Sequence, residues 1–400
     1  MNHSHTADDK ARKGRLALWA LAISAFGIGT TEFVPVGLLA TIAKDFDIGI
    51  TLTGLLISGY AIGVAVGAPI LTALTNRVSR KTLLMVLMVV FIVGNIVAAM
   101  STSFELLMVA RFITAFSHGV FFSIGATIAV QLVPAHKKAS AIALMFTGLT
   151  VATVTGVPLG TFIGQAFGWR ATFWGVAALG VIAIVAIALL IPKNLKQSPP
   201  AKFSDMFRLV TNGRLLLGFA ITAFGYGGTF VAFTYLTPIL EDVTKIDSKL
   251  VSIVLLVYGI AVAIGNAVGG RLANHNPARA LFWMFIMHAI IMIVMTFMIP
   301  SKVAGLIAVI LMGLVAFMNV PGLQLNVVQL AEKYVPAAVD VASALNIAAF
   351  NVGIAMGSII GGLVINTIGI VHTPWIGGIM VIGAVLLTGL SLRLERQTNA

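Results

Sequence analysis

Two formally charged residues, Glu32 and Arg111, lie deep inside the long apolar stretches of this 400-residue chain. An acid and a guanidinium in surroundings of low polarity have two uses. They can neutralise each other as a permanent ion pair, or the acid can trade a proton while the base and a bound solute compete to set its charge. At the centre of a bilayer an isolated charge costs roughly 2.5–3.5 kcal/mol even on the lenient insertion scale, so both side chains are expected to face inward and can pair. His118 follows Arg111 by seven residues and therefore projects from the same helical face. Its titration range near neutrality suits a proton relay or a hydrogen bond to a solute, and a neutral packed histidine fits as well. His288 reads as packing.

A second group of residues is suited to holding a solute. Tyr226, Phe230 and Phe233 fall at i, i+4 and i+7, one aromatic stripe, while Asn319 and Gln324 flank Pro321-Gly322 and Asn346 and Asn351 sit further on. Aromatic faces mixed with amides suit neutral or amphiphilic small molecules such as sugars, nucleosides or drugs, and the same residues also serve ordinary helix packing in membranes.

The elements that must position these residues follow from composition. Apolar residues make up 59% of the chain, with 40 further glycines and only 10% charged residues. Soluble domains average roughly 45–50% apolar and 25% charged, so a water-soluble fold is excluded. The chain has no cysteine, which removes disulfides, thiolate chemistry and Cys-based metal sites. The net charge of +12 is scattered between apolar runs, arguing against a nucleic-acid module. A bilayer core needs ~20 apolar residues per helical crossing. By that ruler there are twelve segments, at about 16–41, 51–75, 82–100, 104–132, 139–167, 171–191, 214–240, 248–272, 278–299, 302–330, 340–366 and 372–393. The absence of strand-like alternation makes them helices. Glu32 then lies ~24 Å above the inner end of span one and Arg111 ~10 Å below the outer end of span four, depths that agree within about a turn.

Nineteen Lys and Arg fall in the connections on one side of the twelve spans and five on the other, with Arg111 left over. The positive-inside bias puts both termini in the cytoplasm. The longest polar connection, with Pro199-Pro200, reads as a linker. The chain divides into a cytoplasmic tail (1–15), a six-helix bundle (16–191), a linker (192–213), a second six-helix bundle (214–393) and a cytoplasmic tail (394–400). An internal repeat supports two halves. At a constant offset of 198, Ala25-Phe26-Gly27, Gly29 and Thr31 match Ala223-Phe224-Gly225, Gly227 and Thr229, and the register holds through Tyr60 on Tyr258, Gly67 on Gly265 and Asn76 on Asn274. Two parallel six-span repeats are a recurring plan of secondary transporters, with the substrate near midplane between them.

Gly29-Thr30-Thr31-Glu32-Phe33-Val34-Pro35 and Gly156-Val157-Pro158-Leu159-Gly160, followed by Gly164-Gln165-Ala166-Phe167-Gly168-Trp169-Arg170, resemble the major facilitator superfamily, in particular its twelve-span drug:proton antiporter branch with sugar-efflux members. The family's loop motif between spans two and three is similar to Thr72-Ala73-Leu74-Thr75-Asn76-Arg77-Val78-Ser79-Arg80-Lys81, with Asn76 in place of the usual Asp and Thr72 and Ser79 in place of glycines. The resemblance implies gating by Asn76, Arg77, Arg80 and Lys81, sealing and export by the span-five element with Gly156, Pro158 and Gly160, and proton coupling through Arg111. As topology signals alone, Arg77, Arg80 and Lys81 need no gating role.

The expectation is an all-α membrane protein with two pseudo-symmetric bundles. It is not an enzyme and has no cofactor, metal or nucleic-acid partner. It acts as a monomer in the cell (inner) membrane and exports a small organic solute against protons by alternating access. Uptake by symport and a transport-inactive membrane sensor are the alternatives. No Gly-x-x-x-x-Gly-Lys-Ser/Thr run supports ATP drive.

Overall fold

A computed structural model describes residues 2–53, 55–195, 197 and 203–399; of the expected tails and linker, Met1, Lys196, residues 198–202 with Pro199-Pro200, and Ala400 lie outside the described residues. Among the described residues all regular structure is helical, and twelve helices are long and apolar enough to cross a membrane. Span one belongs to helix Asn2–Phe46, which runs through most of the expected tail. Leu55–Leu74, Arg80–Ala99 and Phe104–Gln131 form spans two to four, and Trp169–Leu190 forms span six. Span five is built from Lys138–Val151, a π-helical turn at Ala152–Gly156, and Val157–Phe167. The turn precedes Pro158, whose missing N–H cannot continue the i→i−4 ladder.

Gly213–Phe233, Ser248–Leu272 and Pro277–Met298 are spans seven to nine, and Val339–Thr367 and Thr373–Asn399 are spans eleven and twelve. Span ten is broken into Lys302–Ala316 and Val320–Tyr334 where the sequence reads one run. Pro321 removes the donor that would meet the Phe317 carbonyl, and the Val320 N–H takes it instead at 3.2 Å. The segment read as linker also contains a helix, Phe203–Thr211, with Leu209 buried and Phe207 62% exposed. An amphipathic helix this short needs only an apolar stripe, which a count of linker-type residues overlooks.

The chain divides into two compact units, Met1–Lys202 with Ala337–Ala348, and Phe203–Pro336 with Ala349–Ala400. The beginning of span eleven thus packs with the first unit. Inside that unit spans one and five pack in one register: Gly148 faces Ala22, Gly156 faces Thr30, Gly160 faces Val34 and Gly164 faces Leu38. A Cβ at any of these glycines would collide with its partner, so the spacing of four in span five matches the helical spacing of span one. Gly156 and Gly160 therefore bracket the level of Glu32.

The end of span one is latched by Asp45. Its Oδ2 accepts hydrogen bonds from Arg170 at 2.7 Å and from the Trp169 indole at 3.2 Å, and Arg170 also donates to the Ser101 carbonyl at 2.9 Å. The Arg170 hydrogen bond holds the Asp45 carboxyl below the usual carboxylate range. A depressed folded-state pKa gives stability that is present above the unfolded value near 4 and lost as the pH falls through the folded one. The pair is about 40% exposed, so the effect stays within about 1 kcal/mol. Thermal denaturation in detergent between pH 6 and pH 3 is expected to show a slightly larger loss for the native chain than for Asp45→Asn, with the two differing little in their pH dependence above pH 5.

Candidate functional site: the acid of span one and the aromatic face of span seven

Pro35 sits inside the first helix. Having no N–H, it leaves the Thr31 carbonyl, four residues back, without its ladder donor. Arg111 of span four fills the gap: its Nη1 donates to the Thr31 carbonyl at 2.5 Å, Nη2 to the Glu32 carbonyl at 3.3 Å, and Nε to the Leu56 carbonyl at 3.3 Å. Its guanidinium carbon stands 4.0 Å from the Tyr60 ring centroid, and the side chain is fully buried. Thr31 is fixed from the other side by donating its hydroxyl to Asn95 Oδ1 at 2.7 Å. The expected side-chain pairing of Glu32 with Arg111 is therefore not what forms. Arg111 holds the backbone on which Glu32 stands, because unpaired carbonyls at membrane depth are costly and a planar guanidinium can serve several at once.

The Glu32 carboxyl turns instead to His118, with Oε2 3.7 Å from Nδ1. Oε2 is buried and has no hydrogen-bond partner. His118 Nδ1 also lies 3.2 Å from the Tyr60 hydroxyl, with the tautomer deciding which donates. Acid, imidazole and phenol thus form a short row on three helices, spans one, four and two. Tyr60 and Asn95 were not singled out from the sequence for chemistry, although Tyr60 is one of the residues the internal repeat preserves.

The loop between spans two and three has a partner the sequence did not suggest. Arg80, 5% exposed, donates to Asp340 Oδ1 at 2.7 Å and to Thr127 Oγ1 at 2.6 Å. Thr127 itself donates to the same carboxylate oxygen at 2.8 Å, and Ser123 donates to the Asp340 carbonyl at 2.7 Å. Lys81 donates to the Ala188 and Ile191 carbonyls, closing the C-terminal end of span six. Asn76 is half-buried and Arg77 exposed. A lone acid at the mouth of span eleven was the available signal for Asp340. Asp340→Ala is expected to lower stability by on the order of 2–3 kcal/mol by depriving a buried Arg of its carboxylate, with Asp340→Asn milder because it keeps an acceptor. Chemical denaturation in micelles reads this, and an Ala variant as stable as the native chain excludes the interaction as a strut.

In the second unit the aromatic stripe is a connected cluster. Tyr226 lies 5.1 Å from Phe230, 5.4 Å from Phe317 and 4.9 Å from Phe350, measured between ring centroids. Phe230 meets Phe233 at 5.4 Å, and Phe233 stacks on Tyr258 at 5.4 Å. Among the described residues of this unit, the side-chain polar atoms buried without a hydrogen-bond partner include both atoms of the Asn319 amide and the Tyr258 hydroxyl. Gln324 is fully buried, and Asn351 is half-buried. Asn346 is fully buried but falls in the stretch of span eleven grouped with the first unit, so the amides are not gathered in one unit. His288 meets Thr229 at 3.4 Å, as Asn95 meets Thr31, so the matched threonines of the repeat both contact the third span of their unit. Among the described residues no group of three His, Cys, Asp or Glu is placed to hold a metal.

Twelve apolar helices among the described residues, in two units, with an acid on span one whose Oε2 is buried, define a multi-pass integral membrane protein. Comparison with known proteins gives the family. The Major Facilitator Superfamily profile matches residues 21–339. The chain is 60% identical over 381 residues to the MFS-type transporter YtbD of Bacillus subtilis (strain 168), covering 95% of this chain and 96% of that one. It is 38% identical over 382 residues to the inner membrane transport protein YdhP of Escherichia coli (strain K12), covering 95% and 97%. Its fold is similar to the transporter FucP in the outward conformation, with TM-score 0.77 at 15% identity over 95% of this chain and 99% of FucP. It is similar also to the proton:xylose symporter XylE, with TM-score 0.77 at 13% identity over 94% and 95%. The chain belongs to the major facilitator superfamily; it is a membrane transporter and not an enzyme.

Proposed function

We propose that this transporter exports a small organic solute from the cell by proton antiport through alternating access, in the inner membrane with both termini cytoplasmic. Glu32 carries the proton, His118 stands beside its carboxyl and shares a hydrogen bond with Tyr60, and Arg111 fixes the helix from which Glu32 projects. The observation that carries this reading is a buried carboxylate oxygen with no hydrogen-bond partner, beside an imidazole, on a helix clamped by a guanidinium. An acid retained in that setting has a use for its unsatisfied oxygen, and accepting a proton is the simplest one. One charge crossing ~100 mV supplies about 2.3 kcal/mol, enough for roughly a fortyfold gradient of a neutral solute.

The solute contacts the aromatic face of Tyr226, Phe230 and Phe233, and Asn319 supplies both a donor and an acceptor. That chemistry fits a neutral or amphiphilic compound such as a sugar, a nucleoside or a drug-like molecule. Asn76, Arg77, Arg80 and Lys81, with Gly156, Pro158 and Gly160, form the gating elements. A thermal-shift screen of purified protein against pentoses, hexoses, nucleosides and cationic drugs at two pH values identifies the solute. In proteoliposomes with that solute labelled, an imposed pH gradient is expected to drive solute and protons in opposite directions. Movement of both in the same direction establishes symport instead, and no exchange at all establishes a sensor.

A further inference from the structure

We propose that the groove where span eight turns into span nine holds one anionic phospholipid. The groove has a volume of about 490 Å³, with His275, Asn276 and Arg279 at one end and Leu272, Trp283 and Met287 along its wall. Asn276 is committed to the fold: its Oδ1 accepts the Arg279 N–H at 2.9 Å and caps span nine. The Arg279 side chain is thereby launched from the first turn of a 22-residue helix, where the helix dipole adds positive potential to that of the guanidinium. Arg271, exposed at the end of span eight and next in the chain to Leu272 of the wall, does not line the groove but adds positive charge to the same connection. No carboxylate lines the groove. Among the described residues neither arginine forms an ion pair.

The wall is apolar and open. Leu272 is 53% exposed, Trp283 67% and Met287 39%. Arg279, Trp283 and Met287 recur every four residues, so they form a single ridge that runs from charge to hydrocarbon over ~12 Å of helix. Ile290, Val294 and Phe297 continue the exposed apolar surface of the same helix. The complement of this gradient is a molecule with a phosphodiester at one end and an acyl chain at the other. Free phosphate leaves the wall uncovered, and a zwitterionic headgroup brings a cation that offsets the attraction to Arg279 and Arg271. A negatively charged phospholipid satisfies both ends.

The test uses the full chain in detergent micelles, titrated with phosphatidylglycerol or phosphatidylcholine carrying brominated acyl chains, with tryptophan fluorescence as the readout. Subtracting the quenching of Trp283→Phe isolates the signal from Trp283. Phosphatidylglycerol is expected to quench it at a concentration at least about fivefold lower than phosphatidylcholine, the preference one basic residue near a lipid surface supplies. Arg279→Gln is expected to remove most of this preference, Arg279→Lys to retain it, and added salt to weaken it in the native chain. The lysine variant and the salt series keep the test decisive if the glutamine variant does not fold. Equal quenching by the two lipids, an undiminished preference in Arg279→Gln, or displacement of the brominated lipid by millimolar inorganic phosphate overturns the proposal.

Discussion

Glu32→Gln is expected to abolish solute accumulation driven by a pH gradient while leaving exchange of labelled for unlabelled solute intact. Gln has nearly the size and hydrogen-bonding groups of a protonated Glu, so the uncharged form of the site is preserved. What it cannot do is release a proton. The gradient of up to roughly fortyfold that one proton sustains at ~100 mV should fall to none, the largest functional effect expected from any single substitution in the chain. Accumulation at the native level in the Gln variant removes Glu32 from coupling. Loss of exchange together with accumulation assigns Glu32 to structure, since the solute then fails to cross by any mode.

The second large effect concerns Arg111 and is one of stability. Arg111→Met leaves the Thr31, Glu32 and Leu56 carbonyls without the guanidinium that satisfies them. Hydrogen bonds from charged donors contribute about 1.5–3 kcal/mol each, and the Thr31 bond is the shortest of the set, so a loss of about 3 kcal/mol or more is expected. The cause is specific enough to be cross-checked. Pro35→Ala restores an N–H four residues after Thr31, and in that background Arg111→Met should cost about 1 kcal/mol less. Denaturation of the native chain, the two single variants and the double variant in one detergent gives the coupling. If the arginine substitution costs the same in the native and the Pro35→Ala backgrounds, the clamp does not act through the proline gap.

These two expectations separate residues that a sequence reading places side by side. Glu32 and Arg111 emerge from composition alone, since they are charged residues inside apolar runs, and their depths can be counted at about 1.5 Å per residue. Which atoms an arginine reaches is another matter. Its five donors accept any carbonyl or carboxylate within reach of the long side chain, and the choice fell on the Thr31 and Glu32 main chain because Pro35 had vacated a place there. The proline was visible in the sequence from the start. Its consequence was not, because the vacancy and the arginine lie on different helices.

Asp340 shows the same limit from the other direction. It stands 260 residues from Arg80, and nothing local in either segment names the other. Tyr258 and Phe350, which complete the aromatic cluster around Tyr226, are likewise ordinary apolar-span residues until helix packing brings their rings within about 5 Å of their neighbours.

The sequence by itself determined the solvent, the number of crossings, the twofold repetition and the identity of the few polar groups within the spans. Those properties depend on transfer free energy, which each segment carries locally, and on duplication, which leaves matching residues at a constant offset. Only the tertiary structure decided that the acid faces a histidine rather than an arginine, that the loop arginine is held by Asp340, and that span ten breaks before Pro321. Directional bonds and steric fit form between segments distant in the chain, and their partners are selected by packing.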